Sequence, residues 1–316
     1  MINKNKMKEI PVVFSVDDNY IPYLCVAIKS LIENASKDYF YRIYVFHNGV
    51  SLSNQNIIRR MNNDYVKIQF LNVKQKMGSL SNELHLRDYY SESIYFRLFI
   101  PSIFPNYEKV IYLDSDIVVT GDISKLYNIN IKNNLVAAVT DAVVSVDQDV
   151  LKRYVAKYVG VEPQNYFNSG VLLINVREFL REQIEKKFIY LLNKFNFNTV
   201  APDQDYLNAL CKGKVYYLDA GWNFMMMNPQ EVEERNIIHY NMFLKPWLYK
   251  GVPYEQYFWE YAEKTPFYNK LKESVFNYSE DKKKLDQEAT NSMILAAESY
   301  LTNENSFKSV LALNQL

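Results

Sequence analysis

Short apolar runs that stop at carboxylates recur along this chain. Ile10 to Val16 runs into Asp17-Asp18-Asn19, Lys109 to Leu113 into Asp114-Ser115-Asp116, and Leu135 to Val139 into Thr140-Asp141. Runs of this length, rich in β-branched and aromatic residues, predict buried strands. After the first comes a helical stretch from Tyr23 to Asn34, with Leu24, Ala27, Ile28 and Leu31 on one stripe. A strand from Tyr41 to His47, a helix from Leu52 to Asn62 and a strand from Val66 to Val73 follow. This alternation predicts an α/β fold with a parallel sheet and helices on both faces. Ligands of such sheets gather at the carboxyl ends of the strands, where these acidic residues fall.

Tyr95 to Ile103 reads as helical, Asn168 to Asn175 as an apolar strand, and Arg177 to Lys194 as a charged helix. Pro202 to Lys212 reads as a helix opened by Asp203 and closed by Gly213, with short strands at Val215 to Leu218 and Ile237 to Tyr240. Beyond Lys250 the pattern changes: Tyr254 to Leu271 is aromatic-rich and helical, and Ser279 to Gln315 is a polar helical appendage. The expected organisation is one catalytic domain over 1–272 and an appendage over 273–316, whose helices could pair two chains as a homodimer.

The 36 basic residues balance the 36 acidic ones, so no whole-molecule attraction to nucleic acid is expected. Cys25 and Cys211 share no metal-type spacing and read as buried reduced thiols. The Lys-rich stretch Met1 to Glu9 is followed by no apolar leader segment, and no run approaches the roughly 18 apolar residues that span a bilayer. These features point to a cytoplasmic protein without a transmembrane segment; a place of action near the inner face of the cell membrane is compatible with them, and the mixed charges of the tail predict little direct membrane binding.

Asp114 and Asp116, two residues apart at a strand end, can both reach one hard cation. Oxygen ligands favour Mg²⁺ or Mn²⁺, and an imidazole such as His239 shifts the preference toward Mn²⁺. A cation there would bridge a diphosphate and neutralise it as a leaving group. Lys245, in Lys245-Pro246-Trp247, offers further positive charge to a pyrophosphate. Asp203 and Gln204 at a helix start, Asn168 at the start of a strand, and Arg97 are candidates for sugar and phosphate contacts. Each also has an ordinary structural reading, as a helix cap, a strand bulge or an ion pair.

These residues together resemble glycosyltransferase family 8, the group of bacterial lipopolysaccharide galactosyl- and glucosyltransferases and glycogenin. The matching segments are Val13 to Tyr20, Tyr95-Phe96-Arg97-Leu98, Val110 to Asp116, Tyr166 to Asn175, Asp203-Gln204-Asp205, and His239-Tyr240 with Lys245-Pro246-Trp247. The resemblance implies a GT-A nucleotide-binding fold with a mixed, mostly parallel central sheet. It also implies retention of anomeric configuration and a UDP-glucose or UDP-galactose donor. By the same resemblance Asp114, Asp116 and His239 bind Mn²⁺, with Mg²⁺ as the alternative. Ser15, Asp17, Asn19, Arg97, Asp114, Ser115, Asn168 and Lys245 contact the donor, Asp17 and Asn19 at its uridine. Gln204, Asp203 and Asp141 lie where catalysis occurs. The acceptor is an unknown glycan, lipid-linked or protein hydroxyl.

One departure stands out: bacterial relatives often carry Gly two or three residues after the His, where this chain has Asn241-Met242-Phe243-Leu244. Two alternative readings share the acid pair, a metal-dependent nucleotidyltransferase and a non-catalytic sugar-nucleotide-binding scaffold. The first would not need His239 with Lys245-Pro246-Trp247, and the intact Asp114, Asp116 and His239 speak against the second. A dinucleotide oxidoreductase is disfavoured because no G-x-G-x-x-G follows the first strand.

Overall fold

The computed structural model describes residues 7–74, 92–147, 149–228 and 231–314. The N-terminal residues 1–6 of the Lys-rich stretch and Gln315 of the expected tail helix lie outside that set. Ten strands among the described residues are β1 (Lys8–Ser15), β2 (Tyr39–His47), β3 (Val66–Asn72), β4 (Lys109–Leu113), β5 (Ile117–Val119), β6 (Val136–Ala138), β7 (Val171–Asn175), β8 (Val215–Tyr217), β9 (Phe224–Met225) and β10 (Ile237–His239). Seven form the main sheet in the order β3-β2-β1-β4-β7-β6-β8, and three form a small one in the order β5-β10-β9.

In the main sheet β1, β2, β3 and β4 run parallel, and β6 is parallel to β8. Only β7 reverses, antiparallel to both β4 and β6. The sheet is therefore mixed and mostly parallel. Its side chains alternate between two cores: Val13, Val110, Tyr112, Leu172 and Ile174 point into one, Val12, Phe14, Ile111, Leu113 and Leu173 into the other. The helix Ile21–Asn34 covers the second face with Leu24, Ile28 and Leu31. Helices Ile184–Phe195 and Pro202–Cys211 cover the first with Phe188, Leu191, Tyr206 and Leu207. Burying each such side chain contributes about 1.5–3 kcal/mol.

Four sequence expectations are corrected. The strand expected from Asn168 begins at Val171, and Asn168-Ser169-Gly170 make the turn that enters it. The single helix over Arg177 to Lys194 is two, Val176–Arg181 and Ile184–Phe195, because Gln183 takes a φ of 53° between them. Asp203 does not cap its helix: the cap position is Ala201, and the Asp205 carboxylate instead accepts from the N–H groups of Val200 and Ala201. Tyr95 to Ile103 divides into a 3₁₀ segment, Glu92–Phe99, and a short α-helix, Ile100–Ile103.

The tail is helical over Glu280–Tyr300 and Phe307–Asn314, and residue 272 falls inside a preceding helix, Tyr268–Asn277. Ala297, Phe307 and Val310 are buried in the first core, where the Phe307 ring lies 4.0 Å from Phe197 and 4.8 Å from Tyr206. No helix among the described residues is long and apolar enough to cross a membrane. Both cysteines are free and buried; burial pushes the Cys25 thiol up to about 12 and raises Cys211 as well.

Strand β5, which follows the acid pair directly, is absent from the sequence reading, and it positions the site. β10 pairs antiparallel with it, His239 opposite Ile117, and the Tyr240 N–H donates to the Asp116 carbonyl at 2.9 Å. That register delivers an imidazole from late in the chain to the end of β4.

Candidate active site

Asp114 leaves β4 with its N–H donated to the Gly170 carbonyl at 2.7 Å, so β4 and the turn before β7 are locked together at the site. Its Oδ1 accepts from the Tyr112 hydroxyl at 2.8 Å and from Arg97 at 3.0 Å. Asp116 has other partners, Oδ1 lying 3.2 Å from His239 Nε2 and Oδ2 meeting the Lys245 ammonium. Burial opposes the charge on Asp116, yet Lys245 and His239 hold its carboxyl well below the usual range.

Arg97 is the hub between the acid pair and the Pro202–Cys211 helix. Its guanidinium is buried, donates to the Ser169 carbonyl at 2.6 Å, pairs with Asp114 at 3.0 Å and Asp203 at 3.1 Å, and lies 4.4 Å over the Tyr112 ring. Burial works against that charge, but Asp114 and Asp203 more than offset it and raise the Arg97 pKa. Asp203 is raised by burial despite Arg97, and its Oδ2 also accepts from the Ser169 hydroxyl at 2.9 Å.

Asp141 carries a full set of donors. One oxygen caps the helix Ala142–Val146 through the N–H groups of Val143 and Val144; the other accepts from Asn168 at 3.0 Å and Gln204 at 3.1 Å. The Gln204 carbonyl oxygen accepts from the Ser169 N–H at 3.0 Å, so its amide is fixed at both ends. Asn223, which sequence reasoning missed, bridges Asn168 and His239 at 2.9 Å each. Its side chain is neutral and it ends a 3₁₀ turn of four residues, Ala220–Asn223, too short to show a period.

A cavity of about 280 Å³ opens at this cluster. Arg97, Asp114, Asp116, Asn168, Asp203 and Gln204 line it, with Asp141 and His239. Beyond them it continues along Val144, Leu151 and Val155 to Met293 of the tail helix. Ser15, Asp17, Asn19, Ser115 and Lys245 lie outside its lining. The Ser15 hydroxyl donates to the Ser93 carbonyl at 2.8 Å, and Asp17 caps the 3₁₀ turn Asp18–Tyr20 through the N–H groups of Asn19 and Tyr20. Asn19 is exposed, and the buried Ser115 hydroxyl has no hydrogen-bond partner among the described residues. Tyr20, also missed as a site residue, is 40% exposed and near enough to Asp116 and Asp114 for both charges to raise its pKa beyond the effect of burial.

The donor set suits a divalent cation. One ligand atom from each of Asp114, Asp116 and His239 lies within 4.8 Å of the others. The 3.2 Å between His239 Nε2 and Asp116 Oδ1 is close to the ~3 Å edge of an octahedron with bonds of about 2.1 Å. Gly170 keeps the space open, because a Cβ there would meet His239 and the Asp114 carboxylate.

A glycosyltransferase fold of the GT-A type, with paired acids at the end of a central strand, is what this arrangement defines. The profile of glycosyl transferase family 8 matches residues 11–251, and the chain belongs to that family. A lipopolysaccharide 1,2-glucosyltransferase of Escherichia coli K12 is 26% identical over 284 residues, covering 80% of this chain and 78% of the relative. Among solved structures, the galactosyltransferase LgtC with donor and acceptor sugar analogues superposes with a TM-score of 0.65 at 26% identity, over 81% of this chain and 96% of that one. The bifunctional glycosyltransferase WbbM gives a TM-score of 0.74 at 28% identity over 85% of this chain, which spans about half (52%) of that larger protein.

Proposed function

We propose that this glycosyltransferase moves a hexose, glucose or galactose, from a UDP-sugar to a hydroxyl of a glycan, with retention and with Mn²⁺ held by Asp114, Asp116 and His239. The observation that carries this reading is the convergence of those three side chains beside a cavity lined by Asn168, Asp203 and Gln204. The glucosyl- and galactosyltransferase relatives support both donor sugars equally. When bound, the cation would neutralise the leaving diphosphate. Lys245, paired with Asp116, adds a second positive charge on the same side.

Retention needs either a covalent intermediate or attack from the face the diphosphate leaves. Asp203 is the stronger nucleophile by chemistry, but its carboxylate is tied to Arg97 and Ser169. Gln204 is a weakly nucleophilic amide pinned at both ends. These pairings favour front-face attack, with Gln204 and Asp141 orienting the sugar and the departing diphosphate taking the acceptor proton.

The test is release of UDP from UDP-glucose and UDP-galactose, with Mn²⁺ and with chelator, in wild type and Asp116→Ala. Metal-dependent release from one sugar, lost in the variant, is the expected result. Release that persists in chelator would overturn the metal assignment. Failure of the wild type to bind UDP with Mn²⁺ would overturn the donor class.

A further inference from the structure

We infer that Asn223 is a positioning residue that fixes the tautomer of His239, presenting a bare Nε2 to a cation. This rests on the reading of His239 as a metal ligand and adds a residue to it. The argument starts from a donor whose direction is not negotiable. The Gly170 backbone N–H donates to the Asn168 carboxamide oxygen at 3.0 Å, so the Asn168 nitrogen faces away, toward the Asp141 carboxylate at 3.0 Å. The group of Asn223 that approaches the same Asn168 oxygen, at 2.9 Å, must then be its NH₂. That leaves the Asn223 oxygen facing His239 Nδ1 at 2.9 Å. An amide oxygen only accepts, so Nδ1 carries the proton and the neutral ring keeps its lone pair on Nε2.

Nε2 is the atom 3.2 Å from Asp116 Oδ1. In the metal-free site Nε2 can take a second proton and donate it to that carboxylate, and a divalent cation would take that proton's place. The relay from Gly170 through Asn168 and Asn223 thus holds His239 ready for one. Every member is buried, with Asn223 fully so, and water has little opportunity to replace a link. Such outer partners of a ligating histidine set both its orientation and its basicity.

The chain has three histidines, which makes the tautomer readable by ¹⁵N-histidine NMR on the metal-free protein, with His239 assigned by its loss in His239→Gln. At a pH where the imidazole is neutral, the expected pattern is protonated Nδ1 and bare Nε2. Protonated Nε2 with bare Nδ1 would sink the proposal whether or not any variant folds. The second arm is Mn²⁺ affinity by calorimetry. Asn223→Leu removes the acceptor and should weaken Mn²⁺ binding roughly 10- to 100-fold. Asn223→Asp keeps an oxygen toward Nδ1 but loses the donor to Asn168, and should weaken binding less than Asn223→Leu. Equal losses in two folded variants, or no loss in either, would show that Asn223 only fills space. A wild type that binds no Mn²⁺ would overturn the metal reading, and the tautomer pattern would still decide the relay.

Discussion

Gly170 lies so close to His239 that a Cβ built on it would stand 2.4 Å from the imidazole Cε1 and 2.7 Å from Asp114 Oδ2. Neither neighbour is a loose chain end, since Asp114 is held by Arg97 and Tyr112 and His239 by Asn223. Gly170→Ala should therefore push the imidazole and the carboxylate apart, with an overpacking cost of about 1–3 kcal/mol. The expected outcome is a folded protein whose Mn²⁺ affinity falls at least as far as in Asn223→Leu. Unaltered affinity in calorimetry would mean that the two strands can separate freely at this point.

Asp205 gives a pH dependence of stability. It is wholly buried, and burial pushes its carboxyl up to about 6, against hydrogen bonds from Tyr166, Tyr154 and the Ala201 and Val200 N–H groups. The unfolded value is about 3.9, so the native state binds the extra proton between the two. Its contribution is full below the unfolded value and is lost as pH rises through about 6. The loss is of the order of 3 kcal/mol at about 1.4 kcal/mol per pK unit. Asp205→Asn does not titrate, so urea denaturation from about pH 4 to about pH 8 should change the stability difference in the variant's favour by that order. A difference that stays constant would show that Asp205 ionises as easily folded as unfolded.

Met242 occupies left-handed backbone, with φ at 58°. It falls three residues after His239, in the stretch where the family resemblance leads one to expect a glycine. A side chain there costs about 1–2 kcal/mol, part of which is returned by the extra freedom that Gly has when unfolded. Met242→Gly should be neutral to stabilising, by up to about 1 kcal/mol, which is unusual for a change to glycine. Thermal denaturation checks it. A clear loss of stability would mean that Met242, as part of the cavity wall, contributes more by packing than its backbone strain costs.

Phe307 binds the tail to the core. It is fully buried against Phe197 and Tyr206, and its replacement by Ala should cost about 3–5 kcal/mol. A small shift in urea midpoint would indicate that the last helix docks weakly and contributes little to the fold.

The α/β class was legible because strand and helix periods alternate cleanly from Ile10 to Val73, and the acid pair because an apolar run leads straight into it. Much else was hidden for physical reasons. Three residues, Ile117–Val119, are too few to show a strand period, yet their pairing with β10 brings His239 to Asp116. Gln183 breaks a strongly amphipathic segment with no Gly or Pro to announce it. Asp205 reads as one more acidic residue at a helix start, and only tertiary folding turns it into the acceptor for two tyrosines. Asn223 has no signature because its contacts come from two distant segments, and an amide has no charge to betray its purpose.

Met293 sits in the helix Glu280–Tyr300 and yet forms part of the cavity wall. The family match ends at residue 251, well before it. The chemistry and a stretch of its enclosure are thus written in separate parts of the gene. Exchanging the terminal helices would re-shape the enclosure while every acid, amide and imidazole of the transferase stayed in place.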